Sequence, residues 1–165
     1  MAGRIRGEQI KDDSITGQDI NESTLILPHL TTHKYTATSS NSVVLVRFNS
    51  AGSNTMGGSQ VNNKFVAPAR GRLNMVKFRS TGTPGQTEIA LMRIHDGTEN
   101  FGSPGAPIKT VGINVSSTNT VYTATFPDDI HNTFAAGDVL GIRISPVNNH
   151  GNVDITCIWD LDFSS

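Results

Sequence analysis

The chain has 165 residues, one domain's worth or one domain with a short appendage. Its 13 Lys and Arg nearly balance 14 Asp and Glu, which removes the global electrostatic case for binding nucleic acid or an anionic membrane. Charged residues are only 16%, and Gly, Ser, Thr and Asn fill the gap, a composition that suits strands and turns rather than helices.

The N-terminal stretch Met1 to Gly7 lacks the apolar core of a secretory signal, and no apolar run is long enough to span a bilayer. From there Ile5, Ile10, Ile15, Ile20, Leu25 and Leu30 recur at every fifth position. Within this series a ten-residue unit repeats, as IRGEQIKDDS at 5–14 and ITGQDINEST at 15–24. A step of five advances about 140° beyond a full helical turn, so the isoleucines would scatter around a helix. On a strand an odd step alternates faces. The spacing therefore predicts an extended, kinked arm over residues 1–32 that meets its partner once per pentad. Such a thread cannot bury its isoleucines against itself. It needs sister threads or a groove on another protein, and a disordered leader seldom keeps apolar residues in register.

From residue 33 the periodicity becomes two, and residues 33–165 are expected to form a β-sandwich. His33–Thr38 is a weak strand candidate, and Val43–Phe48 is a more uniformly apolar one. Residues 72–79 and 87–95 read as strands with slips that suggest a bulge near Met75 and Val76. Residues 108–115 form a weaker candidate. Tyr122, Ala124 and Phe126 alternate with polar neighbours, as do Leu140, Ile142 and Ile144. The clearest strand runs from Val153 to Phe163, with Val153, Ile155, Cys157, Trp159, Leu161 and Phe163 on one face. Turn residues separate these runs at 80–85, 97–107, 127–129 and 146–151. About eight antiparallel strands with one apolar face each point to an all-β jelly-roll sandwich, with an immunoglobulin-like sandwich as the alternative.

No chemical constellation emerges. Cys157 is the one cysteine, which excludes an intrachain disulfide, and its apolar neighbours predict a buried, inert thiol. No nucleophile elbow, phosphate loop or zinc-helix motif is present. His29, His33, His95, His131 and His150 fall beside turns or strand ends and read as solvated or hydrogen-bonded residues. Asp96 with Glu99 and Asn100, or Asn148 and Asn149 with Asp154, carry calcium-ligand oxygens without a loop consensus. Neither catalysis nor a cofactor or metal is expected. One charge feature stands apart: Arg70, Arg72, Lys77 and Arg79 lie within ten residues that contain no acid. They form either a solvated strand face or a basic patch that docks an acidic surface, for instance the arm of a neighbouring subunit.

The stretch Phe65-Val-Ala-Pro-Ala-Arg-Gly-Arg-Leu73 resembles the F-x-A-P-x-x-G-x-L strand entry of small jelly-roll virion proteins of tailed bacteriophages. Phe134-Ala-Ala-Gly-Asp-Val-Leu-Gly-Ile-Arg-Ile-Ser-Pro146, followed by Asp154 to Asp162, is similar to their F-x-x-G-D-x-L-x-I-x-x-x-P … T-x-x-W-x-x-D ending. A related F-x-x-G-D segment occurs in tumour-necrosis-factor and C1q-like trimeric jelly rolls, and the pentad repeats resemble leader segments of phage fibre and head-decoration proteins. The resemblance implies a homotrimer whose arms bind the major capsid protein or another virion protein while the jelly rolls project outward. It does not imply catalysis, and the balanced charge and lack of an apolar span argue against direct contact with nucleic acid or membrane. The expected role is capsid decoration, with the head or adaptor domain of a tail or collar fibre, binding a receptor or glycan, as the alternative.

Overall fold

A computed structural model describes residues 26–35, 43–46, 64–94 and 107–163. Ten strands appear among them: β1 (Ile26–Tyr35), β2 (Val44–Leu45), β3 (Phe65–Val66), β4 (Arg70–Ser80), β5 (Gly85–Ile94), β6 (Pro107–Val115), β7 (Val121–Thr125), β8 (Thr133–Phe134), β9 (Val139–Pro146) and β10 (Val153–Asp162). They form two antiparallel sheets. Sheet 1 has the order β1-β10-β4-β7, with β8 also on β4; sheet 2 has the order β2-β9-β5-β6, with β3 also on β9. The chain crosses between the sheets after β1, β3, β4, β6, β8 and β9, which is the winding of a jelly roll. The ten strands occupy eight lanes, because β2 and β3 share one flank of β9 and β7 and β8 share one flank of β4. The all-β jelly-roll expectation holds.

The core follows from the period-two pattern. Along β10, Val153, Ile155, Cys157, Trp159 and Leu161 are buried while their alternates are half-exposed. They meet Leu73, Val76 and Phe78 of β4 and Ile89, Leu91, Leu140, Ile142 and Ile144 of sheet 2 in one cluster. Trp159 is fully buried. Its ring meets Phe65 edge-on at 5.0 Å and Phe134 at 5.9 Å, and its indole N–H donates to Thr31 Oγ1 at 3.1 Å. Three aromatics that carry the sequence resemblance thus pack as one group. Burial pushes the Cys157 thiol up to about 12, against a hydrogen bond with Thr31 that acts the other way. The thiol is inert, as its neighbours predicted.

Two boundaries differ from the sequence reading. Residues 26–32, assigned there to the arm, belong to β1, which pairs with β10 over ten residues from Ile26↔Asp162 to Tyr35↔Val153. Their side chains do not alternate in polarity, so backbone pairing rather than burial places them. Pro28 is compatible because β1 is the last strand of its sheet among the described residues. The bulge sits at Asn74, the extra residue between Leu73↔Trp159 and Met75↔Ile158, one position before the pair it was expected at. The arm residues Ile5, Ile10, Ile15, Ile20 and Leu25 lie outside the described residues, as do 36–38, 47–48 and 95–106.

Candidate interaction surface

The outward face of sheet 1 gathers the residues singled out from the sequence. Arg70, Arg72, Lys77 and Arg79 all project there from β4, as their spacing and the Asn74 bulge require. The antiparallel register sets the aspartates of β10 directly opposite. Arg70 Nε donates to Asp162 Oδ2 at 2.7 Å, and Arg72 Nε to Asp160 Oδ2 at 3.0 Å. Arg79 Nη1 donates to Asp154 Oδ2 at 2.7 Å. Arg72 also pairs with Asp128 at 2.7 Å, and the Asn74 amide donates to both Asp160 oxygens. Lys77 Nζ donates to Thr123 Oγ1 at 2.8 Å, and Arg79 Nη2 to Asn119 Oδ1 at 2.7 Å. Burial acts to lower the pKa of Arg72, but its hydrogen bond to Asp160 and its pairing with Asp128 outweigh that and hold it above its ordinary value.

This ladder shows where the charges of the β4 cations go within the sheet. The ten-residue window holds no acid, yet its partners Asp154, Asp160 and Asp162 arrive from 75 to 92 residues away. The face is charged but locally matched, and its arginines stitch β4 to β10.

Between the ion pairs runs an apolar row. Leu30 of β1 lies beside Ile158 of β10, which lies beside Met75 of β4. Leu30, expected as the last arm contact, is therefore a strand residue, exposed on this face. At the end of the sandwich where β1 begins and β10 finishes, Ile26, Leu27 and Phe163 are also exposed. Two adjoining hollows open there, of about 490 and 540 Å³, with Arg70 and Ala135 on both rims. The Phe134–Asp138 turn of the resemblance contributes lining residues to both. Gly137 takes φ +87° in it, a conformation other L-residues avoid. Asp138 Oδ2 accepts from the Ala135 N–H at 2.8 Å, so Gly-Asp serves as a turn lock.

The remaining sequence candidates do not converge. His33 and His150 are buried and His29 and His131 exposed, in different parts of the sandwich. Asp154 is engaged with Arg79 and Lys34, and Asn149 Oδ1 accepts from the Gly151 N–H. No group of three or more His, Cys, Asp or Glu suited to a metal occurs among the described residues. His95, Asp96, Glu99 and Asn100 lie outside them. Sequence reasoning missed the hydroxyl of Tyr122, which accepts the N–H groups of Ser116 at 3.2 Å and Ser117 at 2.9 Å. The Ser116 side chain, with these contacts, holds its pKa below the ordinary value. Its contacts close the β6–β7 loop.

What the surface offers is physical rather than chemical: a matched-charge face crossed by an apolar row and continuous with an apolar chain entry. No protein-family model and no curated protein matches this chain. Among solved structures, one titled "Crystal structure of PirA" is similar at a TM-score of 0.31 and 16% identity, covering 81% of this chain and 92% of that one; so low a score carries no argument about function.

Proposed function

We propose that this chain is a structural virion protein, a capsid decoration protein that docks on a phage head through its N-terminal arm as a homotrimer and projects its jelly roll outward. The observation that carries the reading is the pentad series Ile5, Ile10, Ile15, Ile20 and Leu25, an apolar thread in strict register that leads into the sandwich at the start of β1. The jelly-roll fold and the ordered sequence motifs support it. Each fully buried isoleucine contributes roughly 1.5–3 kcal/mol, while ordering each residue of the thread costs about 1–2 kcal/mol. Docking is therefore additive over several arms, and no single anchor dominates.

The test replaces Ile10 and Ile15 with Asp in the full chain and measures co-sedimentation with empty heads. Both positions precede β1, so far-UV circular dichroism of the domain should be unchanged while binding falls at least a hundredfold. Undiminished binding sinks the proposal. Copy number on intact particles gives a second check: hundreds of copies agree with shell decoration, and a few trimers per particle contradict it. A truncation used for the same purpose must stop at residue 25, since removing residues 1–30 would take half of β1 from its pairing with β10.

A further inference from the structure

The edge of sheet 1 is exposed where β1 begins. Residues 26–30 are exposed on both faces, and only further along does the strand sink inward, to a half-buried Thr31 and a buried His33. Ile26 and Leu30 are each 59% exposed on the outward face, and Leu27 and Phe163 are 45% and 47% exposed on the inward-facing side of β1 and β10. Four of the eight exposed large hydrophobic residues among the described residues thus cluster on one strand edge and the chain end beside it. A long apolar edge strand is a template for pairing, and proteins cover it or blunt it.

We infer that this edge is a contact between copies of the chain, with Ile26, Leu27, Leu30 and Phe163 of each copy turned toward the axis that the copies share. The inference rests on the assembly reading above and deepens it by naming the surface. Two observations point to a second copy as the occupant. Leu25 of the pentad series directly precedes Ile26, and consecutive Cα atoms are 3.8 Å apart, so arms that associate through that series bring the Ile26 residues of neighbouring copies together. The charges beside the edge are also matched within each copy, Arg70 with Asp162 and Arg72 with Asp160, so that like faces approach without net repulsion.

The test uses full-length chains and analytical ultracentrifugation. Ile26→Asp with Leu30→Asp alters the edge; Val121→Asp with Val147→Asp alters two valines that are also 59% exposed, away from it. The edge variant should dissociate at concentrations at least a hundredfold above those at which the wild type and the valine variant stay assembled. As a check that needs no variant, hydrogen exchange of the wild type should slow in residues 26–30 with rising protein concentration and stay constant in 121–125. An edge variant as assembled as the wild type, or exchange in 26–30 independent of concentration, overturns the inference. A wild type that is monomeric yet binds heads through its arm overturns it too, while leaving arm docking standing. Loss of head binding by the arm variant with self-association intact leaves this inference standing; the reverse result separates the two in the other direction.

Discussion

In sheet 1 each long central strand buries one face and shows the other to the ion-pair ladder, whereas in sheet 2 strand β5 buries both. Ile89 and Leu91 face the central core, and Ala90, Met92 and Ile94 join Leu45 in a second buried cluster on the opposite side, with Val139 packed against it. Residues 89–92 are consequently buried without a break. Both sheets obey the same pleat, and β6 and β9 of sheet 2 still alternate, but along residues 89–92 of β5 the pleat no longer sets a buried face against an open one. The outward face of sheet 1 therefore presents its ladder and apolar row to the surroundings, while the outward side of β5 around Ala90 and Met92 contributes buried area to stability.

The largest effect that tests this contrast is a charge placed outward from each sheet. Met92→Asp sets a carboxylate in the second cluster, where the residue is fully buried, and should cost upwards of about 4 kcal/mol or prevent folding. Thr156→Asp places the same group outward from β10, beside Lys77, and should change stability by no more than about 0.5 kcal/mol. Urea denaturation of both variants measures the difference. Equal tolerance would mean that the second cluster is not part of the folded core.

A smaller effect probes the ladder itself. Arg72 joins Asp160, whose side chain is 15% exposed, to the far more exposed Asp128, while the side chain of Arg70 is 60% exposed. Arg72→Ala leaves Asp160 with the Asn74 amide and should cost about 1–3 kcal/mol. Arg70→Ala should cost under about 1 kcal/mol. Comparable losses from the two would show that partial burial adds nothing to this pair.

The same contrast explains what the sequence disclosed. Strands β4, β7, β9 and β10 were legible because one face meets the core and the other solvent or charge. Strand β5 looked irregular because both faces are covered, and period two vanishes when neither side is polar. The first half of β1 was hidden because Leu25 and Leu30 continue the pentad rhythm and Pro28 argues against a strand, yet pairing with β10 overrides both. Strands β3 and β8 have two residues each, too short for any pattern. Of the candidate surface, the four β4 cations were visible but their partners were not, since register is a tertiary property. The exposure of Leu27 and Phe163, on the inward-facing side, depends on where sheet 2 ends, which no local window contains.

The smallest effect concerns the place where the sheets are tied at their β6 and β7 side. Lys109 of β6, in sheet 2, bonds Asp129, the residue before the 3-10 turn (Ile130–Asn132) that leads to β8 in sheet 1. Asp129 also caps that turn, accepting the His131 N–H at 3.0 Å. Lys109 foremost, then the His131 N–H, hold its carboxyl below the usual range, against a lesser desolvation that acts the other way. A carboxylate depressed in the folded state stabilises that state above its unfolded pKa, about 3.9, and the contribution fades as pH falls through the folded value. Asp129→Asn keeps a competent cap and removes only the charge. The melting temperatures of the variant and the wild type should therefore differ by a constant amount from pH 5 to 8 and converge as the pH falls below about 4. A gap that persists unchanged at pH 2 would assign the difference to the cap and leave the tie between the sheets without an electrostatic part.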